Sequence, residues 1–214
     1  MAVPPALPRA MEHPLPPEVT VSPALSLTAL PGDGGIRSRR IAILAADYVI
    51  GATIAAVQAA LRDAGAVPVV IAPRIGAVNT SDGYSLHAEG SLENSPAVLF
   101  DAVVLPAGEA GVALLARHAQ TQEFVTLQHR HGKTILALGS AQVLLDQAGV
   151  SNTLPSGADD PGIVRAARRD LDSALAAFIA AVGKHRHPER EANSPRSRRR
   201  ATAACADAQT AVHG

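Results

Sequence analysis

Short, wholly apolar runs alternate with segments of helical periodicity from Arg40 onward, and this alternation leaves few architectures open. Ile41-Ala-Ile-Leu-Ala45, Val67-Pro-Val-Val-Ile-Ala72 and Thr134-Ile-Leu-Ala-Leu138 read as strands, and the run Val98 to Leu105 contains another. A strand apolar along its whole length is covered on both faces, as in a parallel sheet. Between them, Ala52 to Ala64 carries Ile54, Val57, Leu61 and Ala64 at helical spacing, with Gln58 on or beside the stripe and Gly65 as the closing residue. Helical segments are predicted over 109–118 and 121–130, from Ala141 to Ala148, and from Leu171 to Val182. The last places Leu171, Leu175, Phe178, Ile179 and Val182 on one face. Residues 76–95 differ, and read as two short strands around the turn Ser81-Asp82-Gly83. The pattern predicts a three-layer α/β sandwich with a mostly parallel sheet.

The flanks have another composition. Prolines at 4, 5, 8, 14, 16, 17, 23 and 31 bias residues 1–35 towards polyproline II, so this stretch is expected to be a linker without a core. Residues 186–214, with Arg196, Arg198, Arg199 and Arg200 close together, read as a basic disordered tail, leaving 36–185 as the folded domain. With Lys+Arg 19 against Asp+Glu 19, the net charge of +0 argues against a dedicated nucleic-acid binder. Two Tyr, three Phe and no Trp leave little for base stacking. The single Cys205 excludes an intrachain disulfide or a multi-Cys metal site and, in the tail, is expected to be inert. No run is apolar enough for a membrane span or a signal peptide, so a cytoplasmic setting is expected.

Chemistry in open α/β sheets gathers at the carboxyl ends of the strands. Three loops therefore matter: Ala46–Ala52, Pro106–Gly111 and Gly139–Gln142. A strand running straight into a tight turn and a helix has the geometry of a nucleophile elbow, but the turn here reads Leu138-Gly139-Ser140-Ala141. Gly139 has no side chain, and Ser140 one residue later is expected to cap the following helix. His129 and His131 precede the Thr134 strand and so lie more than ~13 Å from Ser140, too far to act as its base. Asp47, a conceivable general base, is expected to be a turn or cap residue. Glu109 is explained by the helix macrodipole alone. His185 and His187 lack a carboxylate or Cys at metal-ligand spacing and are expected at the surface. No Gly-x-Gly-x-x-Gly or Walker motif follows a strand. The residues describe an elbow without its nucleophile, so neither a catalytic, a cofactor-binding nor a metal site is assigned.

One combination of segments is specific. Ser22-Pro-Ala-Leu-Ser-Leu-Thr28, Pro31-Gly-Asp-Gly34 and Ile36-Arg-Ser-Arg-Arg-Ile-Ala-Ile-Leu44 resemble the junction in large-subunit catalases between the haem-bearing core and a C-terminal flavodoxin-like domain. The resemblance continues through Ala72-Pro-Arg-Ile-Gly76, Ser81-Asp-Gly83, Val98-Leu-Phe-Asp-Ala-Val-Val-Leu-Pro106, Lys133-Thr-Ile-Leu-Ala-Leu-Gly139 and Phe178-Ile-Ala-Ala-Val-Gly-Lys-His185. It runs over residues 15–191. More distantly, the same region is similar to the DJ-1/PfpI (class I glutamine amidotransferase-like) superfamily.

The resemblance implies a flavodoxin-like domain that is non-catalytic in its parent enzyme and packs on the core of a homotetramer. In DJ-1/PfpI-like enzymes a Cys takes the place of Gly139 and a Glu falls near Ala52; this sequence has neither, and Pro106-Ala107-Gly108 departs from the usual Pro-Gly-Gly loop. Peroxide dismutation in the parent family needs haem, a distal His and Asn and a proximal Tyr, all in the core domain. Tyr48 and Tyr84 belong to the appended domain and are not candidates for that ligand. The expectation is thus a structural or interaction module without haem of its own, whose partner is a catalase core or another copy. The alternative is a DJ-1/PfpI-like hydrolase, glyoxalase-type or chaperone protein using Ser140 with Asp47 or Glu109.

Overall fold

A computed structural model describes residues 34–154 and 156–192. The proline-rich residues up to Pro31, the Arg196–Arg200 cluster, Cys205, His13 and His213 lie outside the described residues. Eight strands and six α-helices follow in order: β1 (Arg40–Leu44), α1 (Gly51–Asp63), β2 (Val67–Ala72), β3 (Gly76–Asn79), β4 (Ser85–Ala88), β5 (Gly90–Ser91), β6 (Ala102–Leu105), α2 (Glu109–Leu115), α3 (Ala119–Arg130), β7 (Thr134–Leu138), α4 (Gln142–Gln147), β8 (Ile163–Ala166), α5 (Leu171–Gly183) and α6 (Glu189–Ala192). Six strands form one sheet in the order β5-β2-β1-β6-β7-β8, with every pairing parallel. β3 and β4 form a separate antiparallel hairpin. This is the flavodoxin-like α/β sandwich.

The period of two along a strand sorts side chains into two cores. Ile41 and Ile43, Ala102 and Val104, and Leu136 and Leu138 face α1 and α5, where Ile54, Val57, Leu61, Leu175 and Phe178 meet them. Ala42 and Leu44, Val103 and Leu105, and Ile135 and Ala137 face the opposite layer, packed by Val112, Leu115, Phe124, Val125 and Leu145 from α2, α3 and α4. All of β6 and β7 is buried, which is why those runs are apolar throughout.

The run Val98 to Leu105 does contain a strand, in its second half. Ala97–Leu99 forms a 3-10 turn, leaving Val98 exposed, and the strand is Ala102–Leu105. β8 and α6 are additions to the sequence reading. The boundary at 185/186 is corrected: His187 is buried, its amide donates to the Gly132 carbonyl at 2.8 Å, and Arg190 reaches Asp160, so residues 186–192 belong to the folded unit. No helix among the described residues is long and apolar enough to cross a membrane.

Candidate functional site

Strand order reverses at β1, with β2 on one side and β6 on the other, so the ligand-binding edge of this sheet is the loop cluster above β1, β6 and β7. The third loop does form an elbow. Gly139 leaves β7 with φ +56°, in the left-handed region, and the chain continues through a 3-10 turn, Gly139–Ala141, into α4. A Cβ at Gly139 would meet only the Ala107 Cβ, at 3.6 Å, so the turn has room for the side chain that the sequence omits.

Ser140 does not take over, and the expectation that it caps α4 is corrected. It sits inside the 3-10 turn, not in the extended backbone of an N-cap, and α4 is preceded by Ala141 with no side-chain cap. Its buried Oγ has no hydrogen-bond partner. No base is therefore bonded to it, and a serine needs one to become a nucleophile.

The other two loops pack against each other at backbone distance. The amide of Ile50 donates to the Ala107 carbonyl at 3.1 Å. Gly108, at φ +112°, would place a Cβ 3.1 Å from the Tyr48 carbonyl oxygen, and a Cβ at Gly111 would lie 2.7 Å from the Val49 nitrogen. These glycines let the first and second loops meet at backbone distance, while a cavity of about 360 Å³, lined by Ala137, Gly139, Gln142 and Arg165, stays open beside the elbow.

Asp82 ties the hairpin to the first loop. From the tip of the β3–β4 hairpin its carboxylate accepts from the amides of Gly51 and Ala52, each at 2.9 Å, and so caps α1, which has no cap of its own. The Ala52 amide, foremost among several donors, lowers the Asp82 pKa to about 2. The resemblance places the catalytic Glu of DJ-1/PfpI enzymes near Ala52; here that corner holds a carboxylate already spent on backbone amides. The Ser81 hydroxyl donates to the Val49 carbonyl, locking the hairpin tip to the first loop.

Asp47 braces the same hairpin: its Oδ1 accepts from the Asn79 amide at 2.8 Å. Glu109 stands exposed in the first turn of α2 and makes no cap bond. No hydrogen bond connects Ser140 to Asp47 or Glu109, so the structure does not bring the candidate residues together. His129 and His131 lie at the amino end of β7, as the rise per residue requires.

That amino end holds the polar residues the sequence reading missed. Asp160, almost fully buried, accepts from Arg190 Nε at 2.6 Å and from the Gly162 amide at 2.8 Å, with His129 Nε2 at 3.4 Å. Burial alone would raise its pKa, but bonds from His129 and Arg190 and the guanidinium charge prevail and hold it well below the usual carboxylate range. Arg190 also donates to the carbonyls of His129 and Lys133. The Lys133 ammonium donates to the carbonyls of Ala97 and Phe100, and burial lowers its pKa. His187, expected at the surface, is buried with Nε2 2.9 Å from the Thr134 hydroxyl, and burial lowers its pKa too. His185 instead lies exposed, its Nδ1 2.6 Å from Arg39 Nη1, so the two histidines do not converge on a metal. Among the described residues, no three His, Cys, Asp or Glu side chains are grouped to hold one.

The resemblance places the haem of long catalases on a proximal Tyr of their core domain, and neither tyrosine among the described residues is enclosed as such a ligand would be. An axial tyrosine ligand must stand in a slot that excludes solvent. Tyr48 and Tyr84 flank the hairpin with 55% and 48% of their surfaces exposed.

The comparisons agree with this geometry. Residues 37–192 match the model of the C-terminal domain found in long catalases. Catalase HPII of Pseudomonas putida is 34% identical over 175 residues, 82% of this chain but 23% of that enzyme. Catalase HPII of Mycobacterium avium is 36% identical over 187 residues, 84% of this chain and 26% of the enzyme. The chain thus spans about a quarter of the length of these catalases. Among solved structures, a two-domain Anabaena variabilis protein with DJ-1/ThiJ/PfpI-like and ferritin-like domains superposes with TM-score 0.62 at 22% identity, over 68% of this chain and 48% of that one. Oxidised Toxoplasma gondii DJ-1 gives TM-score 0.55 at 17% identity, over 69% of this chain and 96% of that one. The DJ-1 likeness fixes the fold, the catalase match fixes the kinship: the chain belongs to the family of C-terminal domains found in long catalases.

Proposed function

We propose that this domain is a non-catalytic structural and interaction module that docks on a haem-bearing catalase core, in the same polypeptide or as a separate chain, or on another copy of itself. The observation that carries the reading is the elbow: the nucleophile position is Gly139, and the neighbouring Ser140 hydroxyl is bonded to no base. Kinship with long catalases, of which the chain spans about a quarter, supports a catalase core as the partner. Haem reconstitution and an oxygen-evolution assay on the purified chain test the reading. The expected result is no stoichiometric Soret band and no turnover; haem binding with turnover would overturn it. Co-purification with a large-subunit catalase core tests the partner, and a monodisperse monomer indifferent to added core would count against docking.

The alternative, a DJ-1/PfpI-like hydrolase, glyoxalase-type or chaperone protein, draws support from one feature, the buried and unbonded Ser140 hydroxyl. It requires Ser140→Ala to abolish an esterase-like or dicarbonyl activity.

A further inference from the structure

A second cleft opens at the carboxyl edge of the sheet, over β1 and β2 and away from the elbow. Its volume is about 380 Å³, and Ala46, Val78 and Leu114 give it an apolar floor. Asp47, Arg74 and His118 stand around that floor. The volume is that of a small-molecule site, the lining mixes apolar and polar surface, and the carboxyl edge is where ligands bind in open α/β sheets.

The state of the three polar side chains separates this cleft from an ordinary surface hollow. Asp47 spends Oδ1 on the Asn79 amide, while Oδ2 has no hydrogen-bond partner among the described residues. Arg74 and His118 form no side-chain hydrogen bond or ion pair among the described residues, although Arg74 lines the same cleft as an anion. Asp47 is held by its bond to the hairpin, while Arg74, the exposed residue after Pro73 at the end of β2, presents its guanidinium to the same cleft. Elsewhere in the fold the buried or capping charges are spent on partners, Asp82 on amides, Asp160 on Arg190 and Lys133 on carbonyls. Here a carboxylate and a guanidinium face one apolar-floored space and are kept more than an ion-pair distance apart. A dipolar guest fits that arrangement, since it satisfies both charges at once where a simple ion satisfies one.

We propose that this cleft binds a small zwitterion of amino-acid size, its carboxylate on Arg74 and its ammonium on Asp47, with the His118 ring as a further hydrogen-bonding wall. The proposal is independent of the docking role, because a module without catalysis can still carry a ligand.

Titrations of the full chain followed by amide NMR test it, with glycine, β-alanine, γ-aminobutyrate, acetate and ethylamine as separate probes. One zwitterion is expected to saturate the shifts of Ala77, Val78 and His118 at least ~tenfold more tightly than acetate or ethylamine. Asp47→Asn keeps an oxygen for the Asn79 amide while removing the charge, so the fold is retained; this variant and Arg74→Gln should each weaken the zwitterion ~tenfold. The proposal fails if no zwitterion saturates these resonances by ~10 mM. It fails equally if acetate binds as tightly as every zwitterion, or if neither substitution changes the affinity.

Discussion

The two edges of the sheet have been built with opposite economies. At the carboxyl edge, where enzymes of this fold keep their reactive groups, the elbow turn survives in outline, but it carries Gly139 and an unbonded Ser140, and glycines let the neighbouring loops meet at backbone distance. At the amino edge, where such folds ordinarily place little, Asp160, Arg190, His129, Lys133, Thr134 and His187 form a buried polar assembly. Buried charge is costly unless paired and hydrogen-bonded. This domain spends its paired charges on tying the returning chain, residues 185–192, to the base of β6, β7 and β8. The contrast teaches that the buried polar side chains at the amino edge mark a mechanical joint, while the elbow keeps its turn with no base bonded to Ser140.

The most severe way to probe the contrast is to cut the joint. Arg190 and Asp160 have side-chain exposures of 7% and 1%, so removing one partner strands the other in the interior. Arg190→Ala is expected to lower stability by about 3–5 kcal/mol, read as a shift in the urea midpoint. Replacing both members with apolar side chains of similar volume should recover much of that loss. A loss below about 1 kcal/mol for the single variant would mean the joint is no stronger than a surface pair.

The extent to which this was legible in the sequence follows the same division. β1 and β7 were readable because each buries both faces and so contains almost only apolar residues. β8 was not, since an edge strand of the sequence IVRA is short and only partly buried. Residues 186–192 read as tail because His, Arg, Pro and Glu dominate them; Asp160, the partner of Arg190, is 30 residues away, and no local pattern announces such a bond. The elbow itself was legible as Leu138-Gly139-Ser140, but the turn type was not: a 3-10 turn running into α4 deprives Ser140 of the extended backbone that a cap requires. The Ser81-Asp82-Gly83 turn was visible, whereas its capping of α1 depends on a tertiary approach.

Two glycine substitutions sharpen the contrast inside the carboxyl edge. A Cβ at Gly111 would lie 2.5 Å from Val49 Cγ1 and 2.7 Å from the Val49 nitrogen, and backbone cannot easily give way. Gly111→Ala should therefore cost about 3 kcal/mol, the upper part of the range for overpacking. Gly139→Ala meets only an ordinary contact with the Ala107 Cβ at 3.6 Å and incurs the left-handed backbone penalty, about 1–2 kcal/mol. Thermal melts of the pair check the order. If Gly139→Ala proved the worse, the elbow would not be the open turn described.

Titration gives a smaller and more graded comparison. His187 has its folded pKa lowered from 6.5, chiefly by burial, so the unfolded chain takes up its proton first and stability declines as pH falls below 6.5. His185, also lowered by burial and by Arg39, adds to the same decline. Asp82 behaves as a depressed carboxylate, its contribution complete above 3.8 and lost as pH drops towards about 2. Asp160, depressed likewise, is lost on the same acid side. Urea midpoints across pH should therefore fall in two stages, and His187→Gln should flatten the stage between about pH 7 and 5 while leaving the acid stage in place. An unchanged upper stage would remove His187 from the account.

The smallest effect is expected where an enzyme would show the largest. Ser140→Ala removes a buried hydroxyl that bonds to nothing, so the folded state gives up no interaction and loses an unsatisfied polar group. Stability should be unchanged or raised by up to about 1 kcal/mol. Any hydrolytic activity measured with an activated ester should be equal in the two proteins, because a nucleophile without a bonded base contributes nothing for the substitution to remove. A serine poised for catalysis would differ in one result: activity lost, with stability again held or improved. The stability readout therefore cannot separate the two readings, and the activity readout decides. Retained activity in Ser140→Ala assigns the elbow to shape alone, and its loss would return this edge of the sheet to chemistry.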